Sequence, residues 1–404
     1  MILGIDCSQA NRKNRSGTEW YAFYLIEEFK KLLAGRSDVT VRLYLRDEPR
    51  PDLAANLPEN FSARGGPAPG WEIPILRWPF KYLWVQKRLS LEMLLRPPDV
   101  LFCPAHTIPL IHPKKTFTTL HDIGFEDYPE LYDKFSLWYH KFSARLAVKK
   151  AHHIFTVSEF SKNRIIEVYD CDPAKITVTY LGYDAEKFKP MDRAAVEPRL
   201  AKYDLEYKNY LLFIGRLEPK KNILNIVRAY ERFLSLLAER SNPKADEIAS
   251  SPPEADPRND LPDLVLAGRK VNIKDVELYL ADRPMLSSKI KFIGYFEEDD
   301  LALLYNGAKI LVFPTLYEGF GLPIIEAQAC GTPVVASSTG SSAEIAGQGA
   351  VIVDPESPEE IAAAISQLLS DQKLYHAKIS SGFENLKRFS WRKTARQTLD
   401  RLLA

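Results

Sequence analysis

Short apolar or β-branched runs alternate with amphipathic stretches along almost all of the 404 residues. This alternation predicts parallel strands joined by helices that cover both faces of a sheet. In the first half, strands are predicted at 2–7, 40–45, 100–103, 116–120, 153–157 and 176–179. A helix is predicted over 18–33, where Trp20, Tyr21, Tyr24, Leu25 and Leu32 recur at near-helical spacing. The proline-bearing, charged segment 187–209 reads as a linker with a short helix, after which a second series begins, with strands at 210–214, 264–267, 290–292, 310–313, 333–336 and 350–353. Residues 391–404 form a last amphipathic helix. The stretch 241–260 is rich in Pro, Ser, Asp, Glu and Asn; it has too little apolar surface to order itself and is expected to be a mobile loop without a catalytic role.

The length exceeds what one hydrophobic core normally organises, so two similar lobes are the simplest division. Apolar residues at 46% and charged residues at 26% match an ordinary globular protein and exclude wholesale disorder. A net charge of +1 gives no global reason to expect a nucleic-acid partner. The opening MILGIDCSQ lacks a basic leader and places Asp6 where a signal peptide needs apolar residues, and no run reaches transmembrane length. Four scattered cysteines without a C-x-x-C pair fit free thiols, so a cytoplasmic location is expected.

In open α/β sheets the chemistry lies in the loops that follow the strands. After 310–313 the chain reads PTLYEGFGLPIIEAQACGTPVV, with Glu318 and, eight positions on, Glu326. Gly319 and Gly321 permit close backbone approach, and Pro323 suits a first helical turn, so this loop predicts a helix N-terminus able to hold a diphosphate, with Glu326 in the opening turn. Carboxylates repel phosphates, so both glutamates are expected to accept hydrogen bonds from sugar or ribose hydroxyls. After 210–214, GRLEPKKNI brings Arg216, Lys220 and Lys221, cations suited to the charge of a departing diphosphate, although a solvated basic turn has the same composition. After 116–120, HDIGFEDYPELY begins with His121, which either faces a ligand or is tied to backbone or Asp122. The first loop, SQANRKNRSG, ends at Gly17, a further candidate for backbone approach.

The segments GRLEPKKNI, EGFGLPIIEAQACGTPVV, TTLHDIGF, TVSEFSK and YLGYDAEKFKP resemble the retaining glycosyltransferases of family four, and Glu318 and Glu326 match that family's E-x7-E signature. The resemblance implies a GT-B fold: two Rossmann-like parallel-sheet lobes facing a central cleft. The acceptor lobe would span 1–186, the linker 187–209, the donor lobe 210–390, and a helix over 391–404 would cross back to the first lobe. It implies that Arg216 and Lys221 bind the donor diphosphate, that Glu318 sits beside the transferred sugar, and that Glu326 bonds the ribose. The amides of Phe320, Gly321 and Leu322, beside Gly319, would contact diphosphate and sugar. His121 would contact the donor sugar, and the turn FIGYFEEDDL, with Tyr295 and Phe296, would hold the base. One departure is that the family's first loop carries a glycine pair where this chain has only Gly17.

The implied reaction is metal-independent transfer of a hexose, with retention, to a glycan or lipid-linked hydroxyl. It needs no cofactor beyond the nucleotide-sugar co-substrate; GDP-mannose is the first expectation and a UDP-hexose the second. A D-x-D stands at Asp170-Cys171-Asp172, but Pro173 and a strand follow at once, so a turn with an Asp cap is expected instead of a metal site. Segment 71–96 holds three of the six tryptophans, with Phe80, Leu83, Trp84, Leu91, Leu94 and Leu95 at helical spacings. Two readings stay open for it: peripheral contact with the inner face of an anionic membrane, or a core helix. A dehydrogenase is disfavoured because no G-x-G-x-x-G follows the first strand. A nucleotide-sugar epimerase of the same fold and a non-catalytic nucleotide-sugar-binding relative are the remaining alternatives.

Overall fold

The computed structural model describes residues 1–55, 61–62, 70–80, 82–241 and 261–404. The described chain divides into two compact units, Met1–Gly182 with Phe389–Ala404, and Tyr183–Arg388. Each is built on one parallel sheet, the two-sheet α/β organisation of the GT-B class.

The first sheet contains β1 (Ile2–Asp6), β2 (Thr40–Tyr44), β3 (Phe61–Ser62), β4 (Trp71–Glu72), β5 (Val100–Cys103), β6 (Lys115–Thr119), β7 (His153–Thr156) and β8 (Ile176–Val178). Its order is β3-β4-β2-β1-β5-β6-β7-β8. Strands β5 and β7 are buried along their whole length, as expected where helices cover both faces. The two-residue strands β3 and β4 sit at one edge and are too short to leave a period in the sequence. Trp391, opening the helix Trp391–Leu403, stacks on Tyr24 of the helix Gly17–Leu32 at 5.0 Å, and Thr394 donates to the Tyr180 carbonyl, so the terminal helix belongs to this unit.

The second sheet contains β9 (Tyr210–Ile214), β10 (Asp263–Ala267), β11 (Ile290–Gly294), β12 (Ile310–Phe313), β13 (Val334–Ser337) and β14 (Ala350–Val353), in the order β11-β10-β9-β12-β13-β14. All five pairings are parallel, and the order reverses between β9 and β12, the topological switch point where ligands bind in such sheets. Phe213 and Phe313, from those two strands, stack at 5.8 Å inside the core.

Two expectations change. Segment 71–96 is not one helix: β4 and irregular chain precede a helix that begins at Trp84, has a wide first stretch to Leu89, and continues as Ser90–Leu95. Trp71 and Trp84 are 3% and 6% exposed, Trp78 packs against the core, and the Trp84 indole donates to the Leu76 carbonyl at 2.9 Å. These tryptophans are therefore core. The expected linker 187–209 is part of the second unit, where the helix Arg193–Leu200 buries Val196 and Leu200. The expected loop at 241–260 lies, apart from Ser241, outside the described residues.

Gly268, at the end of β10, has φ +141°, and a Cβ there would lie 1.8 Å from the Gly215 carbonyl oxygen. Both the backbone conformation and the contact require glycine. Gly268→Ala is expected to cost roughly 2 kcal/mol or more and to lower the melting temperature by several degrees in a thermal denaturation series.

Candidate functional site

At the carboxyl end of the second sheet, the loop after β9 runs alongside the loop after β10. Leu217 donates to the Arg269 carbonyl at 2.9 Å, and Val271 donates to Leu217 at 2.7 Å. This track carries Arg216 outward, two-thirds exposed, where its guanidinium pairs with Glu218. Glu218 is itself 3% exposed and also faces the Lys220 ammonium at 3.6 Å. A short turn, Pro219–Lys221, then ends at Asn222 with φ +64°, and its side-chain amide donates to the carbonyls of Pro314 (2.9 Å) and Pro355 (2.6 Å). One asparagine thus joins the loops after β9, β12 and β14.

That junction aims Lys221 at the loop after β12, where its ammonium pairs with the Glu318 carboxylate and lies 5.8 Å from the Phe313 ring centroid. Both partners are 15% exposed. The loop holding Glu318 is fixed from the far side: the Ser341 hydroxyl, after β13, donates to the carbonyls of Glu318 (3.0 Å) and Phe320 (2.9 Å). Gly321, at φ +97°, then heads the helix Leu322–Ala329, with Pro323 in its first turn. Non-glycine residues rarely adopt that conformation, and here it turns the chain from strand exit into helix entry.

Glu326 is the fifth residue of this helix and so lies beyond its opening turn, a correction to the position expected from the sequence. It is half-buried, and its Oε2 accepts the Tyr305 hydroxyl at 2.8 Å. Desolvation raises its pKa to about 7, opposed by the Tyr305 hydrogen bond and by Lys187. Tyr295 is 84% exposed and Phe296 half-buried, both at the carboxyl end of β11, the sheet's edge strand. The structure therefore joins Lys221 to Glu318 directly and holds Gly319, Phe320, Gly321 and Leu322 in the same loop and helix start. Arg216 and Glu326 have separate partners.

In the first unit, His121 follows β6 and is 6% exposed, with Nε2 donating to the Pro104 carbonyl at 3.0 Å. Its ring meets the Tyr21 ring edge-on at 4.6 Å and lies 5.2 Å from His106. The backbone tie, one of the two readings open in the sequence, is present. Desolvation lowers its pKa to about 4 and that of His106 to about 3, so both rings are neutral near pH 7. Gly17 opens its helix after Ser16, whose amide donates to Glu19 at 3.0 Å; the space around Gly17 is open, and nothing requires glycine there. A cavity of about 850 Å³, lined by Asn11, Arg12, Arg46, Glu48, His106 and Tyr139 among others, opens at the ends of β1, β2 and β5. Asp172 accepts the Ala174 amide at 2.9 Å, the turn cap expected of the D-x-D.

Sequence reasoning missed Glu218, Asn222, Tyr305, His106 and Ser341. Glu218 and Asn222 lie inside a loop already singled out, and Ser341 follows a predicted strand end, so applying the strand-end rule to every strand would have found it. Tyr305 lies within a helix and left no comparable signal.

Two family descriptions match the chain: "Glycosyltransferase Family 4" over residues 15–187 and "Glycosyl transferases group 1" over residues 200–384. It is 33% identical over 287 residues to O-antigen chain mannosyltransferase B of Escherichia coli, covering 71% of this chain and 70% of that protein. To serotype-specific mannosyltransferase WbdA of Escherichia coli it is 30% identical over 257 residues, 62% of this chain and 29% of that longer protein. Among solved structures, Anabaena Alr3699/HepE in complex with UDP and glucose superposes with a TM-score of 0.66 at 18% identity, covering 99% of this chain and 98% of that one; this likeness speaks to the fold alone. With the sheet order and switch-point loops described above, these matches define a GT-B glycosyltransferase. The chain belongs to glycosyltransferase family four and is mannosyltransferase-like.

The buried imidazoles carry a stability consequence. The unfolded chain takes up protons at histidine near pH 6.5, whereas folded His121 resists protonation until about pH 4. Stability is therefore expected to fall as pH drops from 6.5 towards 4, by a few kcal/mol. Urea unfolding across this range should show that slope, and His121→Gln should reduce it.

Proposed function

We propose that the enzyme transfers a hexose, with retention, from a nucleoside diphosphate sugar to a hydroxyl of a glycan or glycolipid, without a metal ion. The observation that carries this reading is the meeting of Lys221, Glu318 and the Gly321-capped helix start at the switch point of the second sheet. Lys221 and Arg216 are the cations for the diphosphate, joined by the amides of Gly321 and Leu322. Each cation pairs with a carboxylate, Glu218 or Glu318, and a diphosphate oxygen would take that carboxylate's place. Glu318 would then accept from the sugar's hydroxyls, Glu326 from the ribose, and Tyr295 and Phe296 would flank the base. GDP-mannose is the favoured donor, in line with the mannosyltransferase relatives. UDP-hexoses are the alternative to be assayed beside it.

In the reaction, the bond from the anomeric carbon to the diphosphate oxygen breaks and a bond to the acceptor oxygen forms on the same face. The acceptor's proton passes to the departing diphosphate. Negative charge builds on that leaving group, and Arg216, Lys221 and the helix dipole stabilise it. His121, neutral and tied to Pro104, would offer a sugar an uncharged ring. The acceptor would enter the 850 Å³ cavity of the first unit.

The acceptor's carrier is read from a surface instead of the tryptophans. Leu91, Leu94 and Leu95 lie at helical spacing and are 46%, 60% and 66% exposed, and the Ser90 hydroxyl accepts the amide of Leu110, next to exposed Ile111. Lys87 and Arg96, close in sequence, and Lys114 and Lys115, which follow Ile111, are also exposed, while Glu92, the acidic residue of this helix, is buried and paired with Arg88 and Arg96. Exposed apolar side chains on a helix that also carries exposed cations fit the interface of an anionic bilayer. No helix among the described residues is long and apolar enough to cross one.

Arg216→Ala and Lys221→Ala are each expected to abolish the rise in melting temperature that the preferred nucleotide sugar produces, and to lower kcat on the order of a hundredfold. Transfer should survive a chelator; complete loss with the fold intact would overturn metal independence. Wild-type protein should co-sediment with phosphatidylglycerol vesicles and a Leu94→Glu, Leu95→Glu variant should not; equal sedimentation would reject the membrane surface.

A further inference from the structure

Glu326 rests on a buried scaffold that leaves one of its oxygens committed. Tyr305, in the helix Leu301–Gly307, is 0% exposed and donates its hydroxyl to Glu326 Oε2 at 2.8 Å. Burial pushes the phenol's pKa well above its ordinary value, so it stays a donor. The helix beneath is held at several points. The Tyr305 carbonyl accepts the Thr332 hydroxyl at 2.7 Å, and the Leu304 carbonyl accepts the Tyr210 hydroxyl at 2.7 Å. Asn306 donates to the Lys189 carbonyl at 3.0 Å and accepts the Met191 amide at 2.8 Å. The same lacing brings in residue 188, and the Phe188 ring meets Tyr305 at 6.0 Å. A side chain fixed this firmly can fix its partner.

Few charges act on the carboxylate. Lys187 favours its ionised form and Glu298 disfavours it, and these two pair with each other at 3.3 Å. Cys330, on the same helix as Glu326 by its C-cap, is buried with its thiol pKa pushed up, so it adds no charge near neutrality.

We propose that Tyr305 is a positioning residue for donor binding: it occupies one oxygen of Glu326 and presents the other to the ribose hydroxyls. This rests on the reading of Glu326 as the ribose-binding group. Neutral tyrosine has one proton to give, so it fixes the carboxylate's orientation without neutralising it. A carboxylate accepts hydroxyl protons better than a carboxylic acid does. With desolvation lifting Glu326 to about 7, donor affinity rises as pH climbs through neutrality. Removing the tyrosine hydroxyl withdraws a hydrogen bond to the charged form, so the transition moves to higher pH.

The test is calorimetric binding of the preferred nucleotide sugar to the full chain between pH 6 and 8.5, where the esterified diphosphate keeps constant charge, alongside steady-state kinetics. Tyr305→Phe is expected to weaken binding about three- to tenfold at pH 7, to move the transition about half a unit alkaline, and to raise donor KM with kcat retained. The difference from wild type should vanish for a donor with a 2′,3′-dideoxyribose. Should Tyr305→Phe fail to fold, Thr332→Val, which removes the hydroxyl bonded to the Tyr305 carbonyl, takes its place and is expected to weaken binding and raise donor KM with kcat retained; unchanged binding would overturn the proposal. Glu326→Gln separates the two levels of inference. If it leaves affinity and its pH dependence unchanged, the ribose reading itself fails. If it weakens binding and abolishes the transition, while Tyr305→Phe leaves the transition where it was, the ribose reading stands and this proposal is overturned.

Discussion

Much of the second unit's site depends on one constraint: β9 and β12, nearly a hundred residues apart in the chain, are neighbours in the sheet at the point where its order reverses. Parallel strands end on the same side, so the loops leaving these two open into one crevice. Lys221 and Glu318 meet there because of that adjacency. Beneath them, Phe213 and Phe313 from the same two strands stack and set the floor on which the ion pair stands.

The loops around the crevice are short of regular structure but not of hydrogen bonds. Asn222 is bonded to the loops after β12 and β14, Ser341 to the Glu318 loop, and Leu217 to the loop after β10. Buried backbone carbonyls need donors, and here side chains from neighbouring loops supply them. The result is a set of strand exits that position one another. Tyr305 adds a bond from a helix instead of a loop: its hydroxyl holds Glu326.

Charge in the site is handled by pairing. Arg216 and Lys220 share buried Glu218, and Lys221 takes Glu318, so each cation has a carboxylate close by. An arrangement of this kind keeps cations oriented without leaving a buried charge uncompensated. The first unit uses the opposite device, with imidazoles so desolvated that they carry no charge near neutrality.

The alternation of apolar and amphipathic runs was enough to locate twelve of the strands to within a residue or two, because most of them are apolar runs buried under helices. It did not reveal β3 and β4, which are two residues long, nor the break of segment 71–96 into strand, coil and helix, since Trp71 and Trp84 are buried by neighbours distant in sequence. Candidate chemistry was legible wherever it followed a strand: Arg216, Lys221, Glu318 and His121 could be named from position alone. Their partners were not. Glu218 under Arg216, Tyr305 against Glu326, and the tie of His121 to Pro104 depend on which elements lie side by side, and a linear pattern carries no record of that. Local sequence dictates what a segment becomes because propensity and burial act over a few residues; tertiary packing alone decides which charges meet and which protons they hold, because Coulomb and desolvation energies depend on distances that only the folded chain defines.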